Sequence, residues 1–394
     1  MRKMSLIIPI FILFIVPIAL SAEITPFSMP ESSYYTLHEF ITNTGNELSI
    51  AAYTFTSDDI AQLLLNVMQN EVKVNILIEK SPVGGMSLQQ KEILCSLHNK
   101  GATIYLYNKT RPREYHHAKY MISDKEQVLV STDNFVSTSY PSTPFEEYSR
   151  GWGVIVYDKS ISNEFYEIFN FDMTTAIPFI CESVTPTPTT TTILLNRKLT
   201  RKNAEVETLF VPNNAKEKII QIMNSTKNIL YIEQLYIYKN WGNDINPFLQ
   251  ITIEKARQGV DTRILLDGRY YSIPKNNETL QYLESLNIST LQVMIEYSTP
   301  LHVKGIISDD TVIISSVNWN QNSATNNREA GVIIKGGISE YYKNLFLSDW
   351  DPRFSQSLAT AQATEMSDYS RELIFISIGI VVVLVFLLKN NVFS

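Results

Sequence analysis

The chain has 394 residues, of which 44% are hydrophobic and 19% are charged, and its formal net charge is −7 at pH 7. This composition is typical of a folded globular protein and excludes an intrinsically disordered chain, and the length favours two domains over one. The excess of acidic residues argues against a general polyanion-binding surface.

The N-terminus has the pattern of a secretory signal. Arg2 and Lys3 precede an apolar stretch over residues 6–20, and small residues follow as far as Ala22. Basic residues, an apolar stretch and a small-residue exit are typical of a cleaved signal, which we assign to residues 1–22. A retained signal anchor is the main alternative, and a buried core helix is a further one.

A second apolar stretch lies near the C-terminus, where residues 373–388 contain no charge and Ser377 is their one polar residue. A helix of sixteen residues spans roughly 24 Å, a little less than a bilayer core. We predict a transmembrane helix over 372–389, preceded by a stalk over 356–371 and followed by a short tail over 390–394. The basic residues at both ends then favour a membrane-anchored protein whose body lies outside the cytoplasm.

Two features of the body fit such an extracytoplasmic location. Asn-x-Ser/Thr sequons, which accept glycans in secreted proteins, occur at Asn108, Asn224, Asn277 and Asn287. The chain has two cysteines, Cys95 and Cys181. Outside the cytoplasm they could form one disulfide, and two free buried thiols are the alternative.

A segment rich in proline and threonine divides the body near its middle. Residues 183–192 read SVTPTPTTTT and show no hydrophobic periodicity, which is typical of a stiff, exposed linker. We assign residues 183–200 to this linker, residues 23–182 to a first lobe and residues 201–355 to a second lobe.

The same order of elements is predicted on both sides of the linker: strand, helix, strand, helix, strand and hairpin. In the first lobe these elements cover residues 48–53, 58–70, 72–78, 88–99 and 103–107, and a hairpin of 118–122 with 127–130. In the second lobe they cover residues 229–233, 247–258, 261–266, 277–286 and 290–296, and a hairpin of 303–307 with 312–315. We therefore expect an α/β fold of two similar layered lobes with mixed sheets, related by a pseudo-twofold axis.

Both hairpins carry the same polar motif, in which His-x-Lys precedes an Asp and the return strand ends in Asn. The first copy comprises His117, Lys119, Asp124 and Asn134, and the second comprises His302, Lys304, Asp309 and Asn318. Residues two apart on a strand face the same side, so the His and Lys of each copy point together. The return strand then brings the asparagine back beside them.

This duplicated pattern resembles the phospholipase D superfamily, whose signature is H-x-K-x4-D-x6-G-S-x-N. The resemblance covers the body from about Tyr34 to Arg353. Serine stands at the usual glycine in both copies, and Thr132 stands at the usual serine in the first. The second copy is one residue shorter between Asp309 and Asn318, which predicts a tighter hairpin turn.

The resemblance implies a phosphodiesterase that forms a phosphohistidine intermediate. A phosphodiester is an anion, so a site that cleaves it must neutralise charge, supply a nucleophile and protonate the leaving group. Lysines and asparagines suit the first task and imidazoles the other two. We assign nucleophilic attack to His117 and acid–base catalysis to His302. We expect no metal and no cofactor, because the two lysines supply the charge a metal would bring, and we expect the active site to be complete within a monomer.

Each imidazole also needs a carboxylate to fix its tautomer. The segment Asn-Arg-Glu that ends at Glu329 resembles the N-x-E segment of the family, which implies that Glu329 faces His117 of the other lobe. The matching place in the first lobe is Gly151. Glu146 or Glu147 lies close enough in sequence to serve His302 instead, and we favour Glu147; a solvated acidic loop is the alternative.

Several other residues near the motifs have less certain roles. Asp124 and Asp309 are interpreted as turn and scaffold residues, not as phosphate ligands. Tyr53, Glu233 and Trp319 either line the cleft or pack near its edge. His116 precedes His117 and therefore points to the opposite face of the strand.

The predicted activity is hydrolysis of phospholipid head groups, that is, phospholipase D activity, because an anchor would hold the site beside a bilayer and the chain is acidic. A membrane-anchored extracytoplasmic nuclease and a cardiolipin-synthase-like phosphatidyl transferase are the alternatives. A non-catalytic surface protein that binds phosphorylated ligands is least favoured, since both motif copies retain His, Lys and Asn.

Overall fold

In a computed structural model of the protein, the structure describes residues 21–109, 114–143, 147–181, 199–351 and 353. The predicted transmembrane helix, almost all of the linker and most of the predicted signal lie outside these residues. Within the described part of the chain, no helix is both long enough and apolar enough to cross a membrane.

The first lobe alternates strands and helices and then forms a meander, as its motif hairpin predicts. Its elements are β1 (Ser21–Met29), α1 (Ser33–Thr42), β2 (Glu47–Ala52), α2 (Asp58–Gln69), β3 (Lys73–Glu79), α3 (Leu88–Asn99), β4 (Thr103–Tyr107), β5 (Tyr120–Ser123), β6 (Gln127–Ser131), β7 (Gly151–Tyr157), α4 (Lys159–Met173) and β8 (Ile177–Pro178). Ser21 and Ala22 belong to β1, so the signal predicted to extend through residue 22 overlaps the fold by two residues.

The second lobe repeats this order with three small additions: the β11–β12 pair, a 3-10 turn and the short helix α8. Its elements are β9 (Lys202–Val211), α5 (Ala215–Ser225), β10 (Ile229–Gln234), β11 (Asn240–Trp241), β12 (Asp244–Ile245), α6 (Pro247–Arg257), β13 (Asp261–Asp267), a 3-10 turn (Tyr270–Ser272), α7 (Ile273–Ser285), β14 (Leu291–Glu296), β15 (Lys304–Ser308), β16 (Thr311–Ser315), α8 (Gln321–Thr325), β17 (Glu329–Lys335) and α9 (Ser339–Trp350). The two predicted hairpins are confirmed as β5–β6 and β15–β16.

The strand order shows the internal symmetry of the fold. One sheet of 15 strands runs β14-β13-β10-β15-β16-β17-β9-β1-β7-β6-β5-β2-β3-β4-β8. The order on one side of the β9–β1 pair repeats on the other, except for β8 at one edge. At the junction, Ala22 of β1 pairs with Ala204 of β9 in antiparallel register. The predicted pair of similar α/β lobes is therefore confirmed.

Apolar side chains fill three layers of core. The inner faces of the two lobes meet in one cluster that includes Val130 and Trp152 from the first lobe and Ile314 and Val332 from the second. Separate clusters lie between the outer face of each half-sheet and its helices. Burial of this apolar surface stabilises the fold, and the shared cluster joins the two lobes into one body.

Asp124 and Asp309 are confirmed as turn and scaffold residues. The Asp124 carboxylate accepts hydrogen bonds from the backbone amides of Gly45, Asn46 and Glu47 at 2.7, 2.8 and 2.9 Å. Asp309 accepts three equivalent bonds from residues 227–229 at 2.7, 2.9 and 3.0 Å. Each aspartate thus ties its hairpin turn to the start of the neighbouring antiparallel strand, β2 or β10. The second turn has two residues between paired strand ends and the first has three, which confirms the tighter turn.

Two single contacts also stabilise the first lobe. The Ser57 hydroxyl accepts a hydrogen bond from the Ile60 amide at 3.3 Å, so Ser57 is the N-cap of α2. Cys95 and Cys181 form a disulfide, which decides between the two alternatives. This bond joins α3 to the segment that follows β8.

Candidate active site

The two histidine segments are held by backbone pairing that crosses between the lobes. The amide of His117 donates to the carbonyl of Arg328, and the amide of Arg328 donates to the carbonyl of Tyr115, both at 2.8 Å. In the same way, the amide of His302 donates to the carbonyl of Arg150 at 2.9 Å. Each motif histidine is therefore fixed by the lobe that does not contain it.

The side chains of these two arginines strengthen the crossing. The Arg328 guanidinium lies 2.8 Å from the carboxylate of Asp172 at the end of α4, and both side chains are buried. Arg150 lies 2.9 Å from Asp349 at the end of α9, and it also pairs with Glu31. Because each arginine and its aspartate belong to different lobes, these ion pairs lock the two half-sites together.

His117 receives its carboxylate from the second lobe. Its Nδ1 lies 2.8 Å from Oε2 of Glu329, the first residue of β17. A carboxylate only accepts, so Nδ1 carries the hydrogen and Nε2 keeps its lone pair. Burial lowers the pKa of His117 to about 4, although the charge of Glu329 acts in the opposite direction. Burial alone would raise the pKa of Glu329, but His117 and Lys119 hold it below its usual value.

His302 receives its carboxylate from the first lobe, but the partner is Asp133. The Nδ1 atom of His302 lies 2.8 Å from Oδ1 of Asp133. Burial opposes the ionisation of Asp133, yet His302 and Lys304 bring its pKa well below the usual range. Burial also lowers the pKa of His302, and Asp133 partly offsets that effect.

The prediction of Glu147 for this role is wrong. Glu147 is exposed and lies at the mouth of a cavity of about 410 Å³ that also contains Ser149 and Arg269. Ser149 connects this region to the site, because its hydroxyl donates to the second oxygen of Asp133. The alternative predicted for the pair, Glu146, lies outside the described residues. A comparison of the two motif copies could have found Asp133, since a carboxylate stands there where the second copy has Val317.

Both motif lysines are buried in the same small volume. Lys119 is 1% exposed and Lys304 is 0% exposed, and the Nζ of each donates to the carbonyl of the histidine two residues before it. Burial lowers the pKa of Lys119 to about 7, with Glu329 and Asp133 opposing. Burial, and then the charge of Lys119, lowers the pKa of Lys304 well below its usual value. An anion bound between them would restore the charge on both.

The two motif asparagines present unsatisfied groups to this volume. The side-chain oxygens of Asn134 and Asn318 are buried and have no hydrogen-bond partner among the described residues. Buried polar groups are normally paired, so an unpartnered carboxamide oxygen at the same position in both copies indicates a place for a hydrogen-bond donor. The structure brings all eight motif residues to the expected places; Asp124 and Asp309 act at the turns, away from this volume.

Tyr53, Glu233 and Trp319 lie in three different environments. The Tyr53 ring lies 4.8 Å from the His117 ring and therefore borders the site. Glu233 is fully buried beside Arg150 and Asp349, and burial raises the pKa of Glu233 well above the usual value. Trp319 packs in the core of the second lobe, 5.3 Å from Phe248.

His116 faces away from the catalytic volume, as its position in the strand predicts. Its ring is fully buried, lies 5.0 Å from the Tyr107 ring, and stands 3.8 Å from Asp172. Burial and the Arg328 charge lower the pKa of His116 to about 3. Among the described residues, no group of three or more His, Cys, Asp or Glu side chains is arranged to hold a metal ion.

A family model described as "Cardiolipin synthase, PLD-like domain" matches residues 37–173 and 219–350. These two matches cover most of the chain and fall one on each lobe. The chain therefore belongs to the phospholipase D superfamily, whose members are phosphodiesterases or phosphatidyl transferases. Comparison with curated protein sequences gives no significant match.

Solved structures support the same fold. The chain is similar to a phosphatidylserine synthase from Haemophilus influenzae Rd KW20, with a TM-score of 0.63 and 14% identity over 82% of this chain and 86% of that one. It is also similar to a polyphosphate kinase from Porphyromonas gingivalis, with a TM-score of 0.54 and 13% identity over 83% of this chain and 50% of that one. A phospholipase D family member, Nuc from Salmonella typhimurium, matches over 40% of this chain and 97% of that one, at 18% identity and a TM-score of 0.35.

Proposed function

We propose that this protein is a phosphodiesterase that hydrolyses phospholipid head groups through a phosphohistidine intermediate. One observation carries the phosphodiesterase chemistry: each motif histidine donates Nδ1–H to a buried carboxylate of the other lobe, at 2.8 Å in both cases. This arrangement orients two imidazoles in one volume that already contains two lysines and two unpartnered carboxamides.

The first half-reaction uses the two histidines differently. The Nε2 lone pair of His117 attacks phosphorus while the bond to the head-group oxygen breaks. Protonated His302 gives its proton to that oxygen, so the head group leaves as a neutral alcohol. Burial lowers the pKa of His117 to about 4 and keeps this imidazole neutral; burial also lowers the pKa of His302, and the charge of Asp133 opposes that effect.

The second half-reaction restores the enzyme. Neutral His302 removes a proton from water, the resulting oxygen attacks the phosphohistidine, and the bond between phosphorus and His117 breaks. The product leaves as a phosphomonoester. Lys119 and Lys304 bind the nonbridging oxygens, where negative charge accumulates in both transition states, and the two asparagines assist through their Nδ2–H groups.

The choice of phospholipid over other phosphodiesters rests on the charge and the predicted anchor. A net charge of −7 disfavours a polyanionic substrate, and a predicted transmembrane helix over 372–389 would keep the site close to a bilayer. A nuclease is the second candidate, favoured by the tyrosine rings beside the site. Tyr53 borders His117, and Tyr115 lies 6.3 Å from Tyr53, so a base could stack there.

A direct assay separates these candidates. The full-length protein is incubated in parallel with radiolabelled phospholipid vesicles and with single-stranded DNA, and His117→Ala serves as the control. We expect head-group release from the vesicles by the wild type and none by the variant. Degraded DNA with intact lipid would instead make the protein a nuclease. Transfer of the phosphatidyl group to an added alcohol, with no hydrolysis in its absence, would make it a transferase.

We further propose that the body lies outside the cytoplasm. The disulfide between Cys95 and Cys181 supports this placement, because disulfides persist in oxidising compartments. Protease added to intact cells should then degrade residues 23–371. A body that is protected until detergent is added would contradict the proposal.

A further inference from the structure

The exposed apolar side chains of the described chain concentrate around the mouth of the active site. Seven large hydrophobic residues are exposed, and five of them follow the carboxyl ends of β3, β10, β13 and β14. We call these five residues the rim: Val83, Leu88, Tyr238, Tyr271 and Tyr297. The catalytic segments lie at the same strand ends, because Gln234 at the end of β10 pairs with Lys304. The rim therefore surrounds the catalytic volume.

The rim is built from equivalent loops of the two lobes. Val83 and Tyr271 each stand four residues after the last residue of a parallel strand, Glu79 in β3 and Asp267 in β13. Contacts join the loop after β3 to the site. The Val83 amide donates to the Tyr53 hydroxyl at 2.7 Å, and the Tyr53 ring borders His117. An object seated on the rim would thus cover the catalytic mouth.

Basic residues accompany the rim. Lys80, Lys275 and Arg269 lie on the same loops or at their ends, and Lys109 follows β4, the strand that pairs with β3. Lys275 stands over the Tyr238 ring at 5.3 Å. Acidic residues lie nearby as well: Glu147 is exposed, Glu278 already pairs with Lys275, Glu296 precedes Tyr297, and Asp58 accepts a hydrogen bond from Gln89 beside Leu88. Tyrosines and basic residues around aliphatic side chains are typical of proteins that sit at a bilayer interface.

The two aliphatic residues of the rim favour a bilayer over a nucleic acid as its binding partner. Val83 is 81% exposed and Leu88 is 67% exposed, and neither has a flat face on which a base could stack. Transfer into acyl chains would remove both from water. The path of the chain agrees, because α9 ends beside Arg150, whose backbone carries His302. The last described helix therefore ends at the catalytic end of the fold, and the predicted transmembrane helix over 372–389 follows it in sequence.

We propose that the rim is a docking surface for the phospholipid bilayer, with Val83 and Leu88 entering the acyl region and the tyrosines lying at the head-group level. This inference rests on the proposed phospholipid-directed function. It adds that the enzyme takes its substrate from the membrane plane, with the catalytic mouth pressed against the lipid.

Site-specific quenching in the full-length protein tests this docking directly. Tryptophan is introduced as Val83→Trp, and Ile180→Trp is the matched control, since Ile180 is 78% exposed but lies beyond β8 at the opposite end of the fold. Each variant is added to vesicles of anionic phospholipid brominated in the acyl chains, and the four native tryptophans are measured in the wild type. We expect strong quenching at position 83 and none above the wild-type background at position 180.

A kinetic comparison separates docking from catalysis. Val83→Ser combined with Leu88→Ser should reduce turnover of vesicle-held phospholipid by at least ~10-fold and leave turnover of a soluble short-chain phospholipid within ~2-fold. Ile180→Ser should change neither rate. Equal quenching at positions 83 and 180, or an undiminished vesicle rate in the double variant, would overturn the docking surface while head-group release still upheld the proposed function.

Two further outcomes are distinguishable. Quenching at position 83 without any head-group release would uphold docking and reject the proposed function. A fluorescence change at position 83 on addition of single-stranded DNA, with no quenching by brominated lipid, would show that the rim binds nucleic acid and would overturn the proposal.

Discussion

Asp133 and Glu329 make the same contact with a motif histidine from positions that are not equivalent in the repeat. Glu329 begins β17, and the equivalent residue of the first lobe is Gly151, which begins β7. A Cβ atom at Gly151 would lie 2.5 Å from the Met29 sulfur, so a side chain there would collide with the core. Asp133, one residue before the motif asparagine, supplies the carboxylate instead. The two half-sites are therefore symmetric in function and asymmetric in construction.

Replacement of Asp133 tests this assignment. Asp133→Asn keeps the shape but removes the charge that holds the His302 tautomer, so kcat should fall by about 10²-fold or more. Glu147→Gln is the matched control and should stay within ~2-fold of wild type, because Glu147 is exposed and does not contact His302. Steady-state kinetics on one phosphodiester measure both variants. The reverse ranking would restore Glu147 as the orienting acid.

Replacement of His302, but not of His117, should cause a phosphoenzyme to accumulate. Both His117→Ala and His302→Ala should lose at least ~10³-fold in turnover, since nucleophile and acid–base partner act as a unit. With a substrate whose leaving group needs little protonation, His302→Ala can still be attacked but lacks the base for release. An acid-labile, alkali-stable phosphoenzyme should then build up in that variant and not in His117→Ala.

Labelled protein recovered after a short incubation measures that difference. A phosphoenzyme in His117→Ala alone would exchange the two roles. Label in neither variant, with substrate binding retained in both, would indicate direct attack by water.

Substrate binding should weaken as the pH rises above about 7. The pKa of Lys119 is lowered to about 7, mainly by burial, so in the empty enzyme this lysine loses its charge above that pH. A phosphodiester keeps its negative charge over this range, and KM should rise by up to ~10-fold per pH unit because one proton is coupled to binding. Lys119→Arg should flatten this rise, since arginine stays protonated.

The same pH series measures the acidic side of the kcat/KM profile. The pKa of His117 is lowered to about 4, so kcat/KM should fall only below that pH, when the nucleophile becomes protonated. Initial rates from pH 3 to pH 9 would show both limbs. A KM that is constant through pH 8 in the wild type would contradict the assignment of Lys119.

The motif aspartates should matter for stability and not for chemistry. Asp124→Ala leaves three backbone amides without their acceptor, so the free energy of unfolding should fall by about 1–3 kcal/mol. Asp309→Ala should behave alike, because its three contacts are equivalent. Denaturant unfolding and kcat of the folded fraction are the two measurements. A loss of kcat above ~10-fold at unchanged stability would make either aspartate part of the reaction.

The disulfide should stabilise the first lobe. Cys95 and Cys181 are separated by 86 residues, so their link restricts a long stretch of the unfolded chain. Combined replacement by alanine should lower the free energy of unfolding by about 2–4 kcal/mol. Reducing agent should have a similar effect on the wild type and none on the double variant. Identical unfolding midpoints with and without reductant would show that the two thiols are free.

Local patterns were sufficient for much of this description. The hairpins and the motif residues follow from alternation, spacing and residue type within a few positions of the chain. The contact between Glu329 and His117 came from resemblance to a family, since 212 residues separate the two. Asp133 was missed because the prediction searched the place equivalent to Glu329 and not the variable position inside the motif.

Other features depend on contacts that periodicity does not encode. The pairing of Ala22 with Ala204 joins strands that are far apart in the chain, and the sequence around Ala22 has the composition of a signal exit. Arg150 and Arg328 gave no signal either, because their role is to bond a backbone segment of the opposite lobe. Such residues are identifiable only when both lobes are in place.

The crossed backbone pairing has a consequence for how activity can be lost. The backbone of His117 is hydrogen-bonded to Arg328, and that of His302 to Arg150. Any separation of the lobes would therefore break both catalytic pairs at the same time. Neither half can retain partial activity, and two halves expressed as separate polypeptides would regain it only on reassembly. Each half contains one carboxylate, Asp133 or Glu329, and presents it to the histidine of the other half, so neither half can orient its own histidine.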